Sequence, residues 1–233
     1  MLRHVSVTPA SSRLSWLKVA LVTGAVLIGA GVGIGIGISQ GSGGTDGRSA
    51  AQPDPGVTFA PGARRAPEFS LQDEAGQPIS LAALRGRTVV LAFIDPVCRN
   101  LCPLEAKALN DTVATLPAAS RPVVVAVSVN PWNQTKADLR LDRQKWDLVP
   151  GWRWALGTYA ELASVWREYS IGVQVRTKTL GGVTVHQVDH TEAAYVIDPT
   201  GYERNLFLYP YRSRDVVSAV RTASAGRSAS SQS

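Results

Sequence analysis

The chain has 233 residues, a formal net charge of +6 and only two cysteines. Residues 1–65 hold six basic and two acidic side chains, whereas residues 66–225 hold 17 basic and 16 acidic ones. A nearly neutral domain without a basic stripe excludes nucleic acid as the partner.

The first 38 residues have the pattern of a membrane anchor. Residues 1–18 carry three basic and no acidic side chains, and the 20 residues Val19–Ile38 are uncharged. About 20 such residues cross a hydrocarbon layer of about 30 Å, and the basic flank stays in the cytoplasm. We therefore expect a cytoplasmic N-terminus over 1–18, a single-pass helix of the cell membrane over 19–38 and an extracytoplasmic domain. A cleaved signal peptide is the alternative, although its apolar core is usually only about 7–15 residues long.

Composition divides the remaining chain into three parts. Residues 39–65 are rich in Gly, Ser, Ala and Pro, which is typical of a flexible linker. Residues 66–223 are long enough for one domain with its own core. The Ser-rich segment 224–233 is typical of a disordered tail.

Within residues 66–223, apolar patterns alternate between strands and helices. Nearly continuous apolar runs at Thr88–Ile94 and Pro122–Val129 predict strands that are buried on both faces. Further strands are predicted around 69–71 and at 152–156, 171–175, 183–186, 193–197 and 203–209, with a hairpin turn at Gly181-Gly182. Helices are predicted at 104–115, from Thr135 onward, at 158–169 and at 213–222, and 79–84 is expected to be a short helix or turn. This order predicts an α/β sandwich around a mixed sheet.

The two cysteines lie four positions apart in Cys98-Arg-Asn-Leu-Cys102-Pro103, directly after a predicted strand. Proline suits the first turn of a helix, so a helix should begin near Cys102, with both sulfurs at its positive end. A structural disulfide closing so small a ring would stabilise little. Redox cycling or metal binding is therefore favoured. Outside the cytoplasm the two thiols would oxidise to a disulfide unless another protein keeps them reduced or a metal ion protects them.

Two histidines precede the strand at 193–197, in a segment expected to be a loop near the cysteines. Two thiolates with one imidazole suit Cu(I), whereas structural Zn(II) usually takes four protein ligands. His190 is the stronger ligand candidate and His186 the weaker, and for each the alternative is a solvated loop histidine. Asp189 could orient the imidazole, and Asp95 is interpreted as a turn residue.

These motifs resemble the Sco/SenC family of membrane-anchored, thioredoxin-fold proteins. The match covers residues 66–223 and includes Cys98-x-x-x-Cys102-Pro103, Ser128-Val-Asn-Pro131, Asp189-His190-Thr191 and Tyr195-Val-Ile-Asp198-Pro-x-Gly201. The resemblance implies a thioredoxin-like fold and copper bound by Cys98, Cys102 and His190, with His186 a spectator. It also implies copper delivery to, or thiol reduction at, the CuA site of cytochrome c oxidase. The implied partners are the oxidase subunit that carries CuA and a thiol–disulfide redox protein.

Two positions depart from the usual family pattern. Arg99-Asn100 stand where the family commonly has Pro-Asp between the cysteines, and Asn130 stands where it usually has Asp. Both changes leave the implied ligand set intact, but they bear on partner recognition and copper affinity.

Three other functions compete with copper binding. In a metal-independent thiol–disulfide oxidoreductase, Cys98 would attack and Cys102 would resolve, although residues 190–194 lack the proline usual in thioredoxin-like reductases. A peroxiredoxin-type peroxidase usually needs Thr-x-x-Cys, and residue 95 is Asp instead. A purely structural interaction module is the third alternative.

Overall fold

The computed structural model describes residues 56–230, with side chains described through residue 225. Over this range the strands are β1 Gly56–Thr58, β2 Ser70–Gln72, β3 Pro78–Ser80, β4 Val89–Ile94, β5 Val123–Ser128, β6 Trp152–Ala155, β7 Val173–Leu180, β8 Val183–His190, β9 Ala193–Ile197 and β10 Glu203–Leu208. The helices are α1 Cys102–Thr115, α2 Lys136–Lys145, α3 Tyr159–Glu168 and α4 Ser213–Ser230, with short 3₁₀ turns at Ala82–Leu84 and Ala118–Ser120.

The main sheet is mixed and has the order β1-β10-β9-β4-β5-β6. Its central strand β4 pairs in parallel with β5 and antiparallel with β9. All six residues of β4 are buried, because alternate side chains enter two separate cores. Val90 and Ala92 pack with α1 and α4, whereas Leu91 and Phe93 pack with α3. The predicted α/β sandwich is confirmed.

The helix starts follow local sequence signals. Pro103 lies in the first turn of α1, which begins at Cys102 as expected. Helix α2 opens with a capping box in which Thr135 and Asp138 satisfy each other's backbone N–H groups, and α3 opens with the same device from Thr158 and Glu161.

The segment predicted as a short helix or turn over 79–84 begins as a strand instead. Gly76, with φ of +79°, reverses the chain so that Ile79 pairs with Leu71 in the β2–β3 hairpin. Ile79 is buried, and only residues 82–84 form a helical turn. Burial of an apolar side chain against a neighbouring strand therefore decides the conformation here.

The predicted hairpin across Gly181-Gly182 is present but longer than expected. Strand β8 runs to His190, which pairs with Val173 of β7. His190 therefore lies on a strand, and the expectation of a loop there was wrong, whereas His186 lies within the strand predicted at 183–186. Continuous cross-strand pairing orients His190 more firmly than a loop would.

Both ends of the domain extend beyond the expected limits. Strand β1 pairs with β10, so residues 56–65, expected to be linker, belong to the domain. Helix α4 continues to Ser230, into the segment expected to be a disordered tail. The predicted cytoplasmic segment 1–18, the anchor 19–38 and the linker as far as residue 55 lie outside the described residues. Among those described, no helix is both long and apolar enough to cross a membrane.

Candidate metal centre

A tight turn after β4 positions the first cysteine. The Cys98 amide donates to the Asp95 carbonyl at 3.1 Å, and the Val97 amide donates to Asp95 Oδ1 at 3.0 Å. The Asp95 carboxylate is buried, which raises its pKa, and it accepts a further hydrogen bond of 3.0 Å from Asn130 Nδ2. The interpretation of Asp95 as a turn residue is confirmed.

The two thiols occupy different environments. Cys98 is partly exposed and Cys102 is fully buried, and both are free cysteines. The Cys98 sulfur accepts from the Cys102 backbone N–H at 3.4 Å and lies 2.9 Å from Asn100 Oδ1. Interaction with the Cys102 side chain lowers the pKa of Cys98 to about 6 against the opposing effect of burial, and the same interaction together with burial raises the pKa of Cys102. Cys98 is therefore the more acidic of the two thiols.

His190, the last residue of β8, faces the buried thiol. Its Nε2 lies 3.8 Å from Cys102 Sγ, and its Nδ1 lies 3.1 Å from the Thr191 carbonyl oxygen. An Nδ1–H that donates to this carbonyl leaves the Nε2 lone pair directed at the sulfur, as in metal-binding histidines. Burial lowers the pKa of His190, so the ring is neutral and able to bind a metal.

Asp189 does not orient the imidazole, contrary to expectation. Successive strand residues point to opposite faces, and Asp189 instead forms an ion pair with Arg176 across the hairpin. The backbone carbonyl of Thr191, and not the Asp189 carboxylate, orients the His190 imidazole.

His186 is engaged away from the thiols. Its ring stacks on Trp132, with centroids 4.1 Å apart and an interplanar angle of 15°. Its Nδ1 lies 3.2 Å from Thr177 Oγ1 across the hairpin. These contacts agree with the spectator role that the family resemblance implies.

Glu192 is a potential ligand that sequence reasoning missed. One of its carboxylate oxygens and the sulfurs of Cys98 and Cys102 all lie within 4.8 Å of one another, a group that does not include His190. Burial and, to a smaller extent, the nearby Cys98 sulfur raise the pKa of Glu192 to about 7. The sequence feature that could have pointed to Glu192 as a ligand is its position two residues after the candidate ligand His190.

A family model described as SCO1/SenC matches residues 59–225, most of the chain. The chain belongs to the SCO1/SenC family. The resemblance read from the cysteine and histidine motifs is therefore confirmed.

Individual relatives of the SCO1/SenC family are similar over the same region. The mouse "Protein SCO2 homolog, mitochondrial" is 27% identical over 157 residues, which cover 66% of this chain and 60% of the mouse protein's length. Yeast Sco1, solved with copper bound, has a TM-score of 0.60 at 20% identity, covering 68% of this chain and 87% of that one. BsSco, described as "a member of the Sco family of cytochrome c oxidase assembly proteins" with a disulfide switch, has a TM-score of 0.56 at 22% identity, covering 71% and 96%. At these identities the solved structures establish the mixed α/β, thioredoxin-like fold.

The first departure from the usual Sco pattern, Arg99, forms an ion pair with a buried acid on α2. Its Nη1 donates to the Cys98 carbonyl at 2.9 Å and lies 3.7 Å from Asp142 Oδ1. Burial raises the pKa of Asp142 to about 7, and the Arg99 charge opposes this rise. The Arg99 cation therefore connects the turn that follows β4 at residues 95–98, the cysteine turn, to α2.

The second departure, Asn130, complements a neighbouring acid. Asn130 is fully buried and donates to the Asp95 carboxylate. An aspartate at this position would set two carboxylates against each other, which raises the pKa of one of them. The amide avoids that repulsion.

An open groove of about 670 Å³ leads from solvent to the centre. The cysteine turn forms one wall, with Cys98 and Leu101, and the hairpin strand β8 forms the other, with Val185 and His190. The Cys98 sulfur is therefore the donor that an approaching partner can reach, because Cys102 is fully buried.

Proposed function

We propose that this chain is a membrane-anchored, extracytoplasmic copper-binding protein that acts in assembly of the CuA site of cytochrome c oxidase. The proposal is carried by the approach of His190 Nε2 to within 3.8 Å of Cys102 Sγ, beside Cys98. Family membership, the copper bound in yeast Sco1 and the description of BsSco as an oxidase assembly protein support it. The uncharged span 19–38 after a basic segment supports the anchor and the exported domain.

The donor set fits Cu(I). Two thiolates and one imidazole are soft ligands of the kind that select this ion. Cys98 is the more acidic of the two thiols, and burial keeps His190 neutral. The protons that binding has to displace are therefore those of the thiols, and none has to leave the imidazole.

Copper is the cargo in this proposal, and it leaves by ligand exchange. A partner thiolate entering the groove first replaces the accessible Cys98, and the buried Cys102 and His190 are released afterwards. A disulfide of the thiol–disulfide partner can take two electrons and two protons from the Cys98 and Cys102 thiols, so that the partner becomes a dithiol and the two cysteines become a disulfide whose sulfurs bind Cu(I) poorly. Only the dithiol form therefore carries copper.

A metal-independent thiol–disulfide oxidoreductase is the second candidate. What favours it is the contrast between partly exposed Cys98, whose pKa is lowered, and buried Cys102, whose pKa is raised. Cys98 would attack a partner disulfide, releasing one partner thiolate and forming a mixed disulfide. Cys102, once deprotonated, would attack the Cys98 sulfur and release the second partner thiolate.

Cu(I) titration of the reduced, full-length chain in detergent, without oxygen, separates the two candidates. We expect one tightly held Cu(I) per chain, clearly weakened affinity in His190→Ala and unchanged affinity in the matched variant His186→Ala. Weak binding that neither substitution alters would contradict the copper function. The Cys98–Cys102 couple would then be the function to pursue, through its reduction potential.

A further inference from the structure

Glu192 lies where a metal held by the two cysteines would meet it. It belongs to the two-residue link between β8, which ends at His190, and β9. Its carboxylate and the two sulfurs lie within 4.8 Å of one another. A tetrahedral ion about 2.3 Å from sulfur and about 2.1 Å from oxygen holds such donors roughly 3.6 to 3.8 Å apart. Side-chain shifts of up to about 1 Å would therefore close the group around an ion.

The Glu192 carboxylate lacks a protein partner that would explain its position. Its Oε2 is buried and accepts no hydrogen bond from the residues that the structure describes. None of the ion pairs found over residues 56–225 includes it. The backbone at this point is fixed, because the Tyr209 amide donates to the Glu192 carbonyl at 3.0 Å. Carboxyl oxygens of Glu105, Asp142 and Glu203 are also buried without a hydrogen-bond partner among the described residues, so it is the position of the Glu192 oxygen beside both sulfurs that makes it available to a metal ion.

The groups around this oxygen favour a cation. Both sulfurs lie beside it, and in the nearby buried carboxyl of Glu105 the Oε1 atom accepts from the Tyr211 hydroxyl at 2.9 Å, while Oε2 has no hydrogen-bond partner among the described residues. The guanidinium of Arg99 is directed to the Cys98 carbonyl and to Asp142. Acidic donors therefore converge here without a protein countercharge among the described residues.

We propose that Glu192 is a fourth ligand of the metal centre, an oxygen donor that a divalent ion uses and Cu(I) does not. The inference rests on the proposed function, since it adds to the Cys98, Cys102 and His190 set. Cu(I) is satisfied by three soft donors, whereas divalent ions such as Zn(II), Co(II) and Cu(II) accept a carboxylate and usually take at least four ligands. Glu192 therefore gives the metal centre four ligands for a divalent ion and three for Cu(I).

The alternative is that Glu192 acts only through its charge or its proton. In that case removal of the carboxylate would weaken the binding of a monovalent ion and the binding of a divalent ion together, because the same charge attracts both ions. A direct ligand instead affects the divalent ion selectively. The comparison of two ions in one protein therefore separates the two roles.

The test is a titration of the reduced, full-length chain in detergent with Co(II) and, separately, with Cu(I), without oxygen. Co(II) does not oxidise thiols, and its d–d absorption is intense when four ligands surround it tetrahedrally. Glu192→Gln keeps the size of the side chain and removes the charged donor. Glu105→Gln is the matched control, because it changes a neighbouring buried acid that is not proposed as a ligand.

In Glu192→Gln we expect Co(II) affinity to fall at least about tenfold with loss of the intense d–d bands, and Cu(I) affinity to stay within about threefold. Glu105→Gln should change neither. Co(II) that fails to bind the wild type, or that binds Glu192→Gln equally well, would overturn the proposal. A parallel loss of Cu(I) and Co(II) would also overturn it, by showing a charge effect. Failure of the wild type to bind Cu(I) would instead contradict the proposed function.

Discussion

Cys102 and His190 are 88 positions apart in the chain, yet Cys102 Sγ and His190 Nε2 lie 3.8 Å from each other. The main sheet brings them together, because Ala92 of β4 pairs with Ala194 of β9. The cysteine turn follows β4 and His190 precedes β9, so both meet at the same end of the sheet. The buried strands thereby hold the two donors in place.

We predict that Cys98 is the reactive thiol of the metal-free, reduced protein. Alkylation by iodoacetamide, mapped by mass spectrometry, should occur at Cys98 with a midpoint near pH 6, while buried Cys102 stays unmodified. Cys102→Ala should raise this midpoint, because the Cys102 thiol is the largest cause of the lowered pKa. Cys102→Ser, whose hydroxyl can also donate, should give an intermediate value. A wild-type midpoint near pH 9 would contradict the assignment.

Arg99 should control the ionisation of Asp142. Burial raises the pKa of Asp142 to about 7, and Arg99 followed by Lys145 opposes that rise. We expect Arg99→Ala to raise the pKa of Asp142 further, and Lys145→Ala to raise it by less. Carbon-detected NMR of the side-chain carboxyl against pH measures both effects. An equal pKa in the wild type and Arg99→Ala would show that the guanidinium does not act on this acid.

Glu105 should make the folded domain less stable as the pH rises. Burial raises its pKa to about 8, well above that of an exposed glutamate near 4.3. Between these values the folded state holds the proton and the unfolded state has lost it, so the free energy of unfolding falls by up to about 1.4 kcal/mol per pH unit.

Glu105→Gln keeps an acceptor for the Tyr211 hydroxyl and removes this titration. Urea unfolding at several pH values should therefore show the variant gaining stability relative to the wild type from about pH 4.5 to about pH 8, with a constant difference outside that window. A difference that does not change across the window would disprove the assignment.

Gly201 should tolerate alanine less well than Gly76. Both have φ near +80°, which costs a non-glycine residue about 1 kcal/mol or more. At Gly76 the added Cβ meets no described atom within 4 Å, whereas at Gly201 it would fall 0.7 Å from Arg85 Nη1. Arg85 would then lose its 2.7 Å hydrogen bond to the Thr200 carbonyl and its pairing with Glu68.

We expect Gly201→Ala to cost about 1 kcal/mol more than Gly76→Ala in free energy of unfolding. Chemical denaturation of the two variants measures the difference. Equal losses would mean that Arg85 moves aside without cost.

Local sequence signals predicted most of the secondary structure. The buried runs of β4 and β5, the capping pairs at Thr135 and Thr158, and Pro103 each act within a few residues. Their outcome depends little on distant contacts. The strand at 78–80 was missed because its conformation comes from pairing with β2.

The candidate site was predictable in its motifs but less so in its details. The family pattern pointed to Cys98, Cys102 and His190, and the sheet brings His190 to Cys102. The spacing of residues in the sequence does not show that Asp189 points away from the imidazole, and it does not show that Glu192 lies beside the two cysteine sulfurs. Each depends on which face of β8, or of the link after it, a side chain occupies, and that is decided by pairing across the hairpin.

Strand β1 enters the sheet at the end that carries the cysteine turn. Gly56 pairs with Phe207, Phe207 with Ala194, and Ala194 with Ala92, near the end of β4. Three strand spacings separate β1 from β4, about 14 Å in all. Gly56, the first residue of β1, therefore lies at the end of the sheet that also carries the groove and the Cys98 sulfur. A change in β1 pairing, for example through substitution of Phe207, would thus be felt at the same edge of the domain as the thiols.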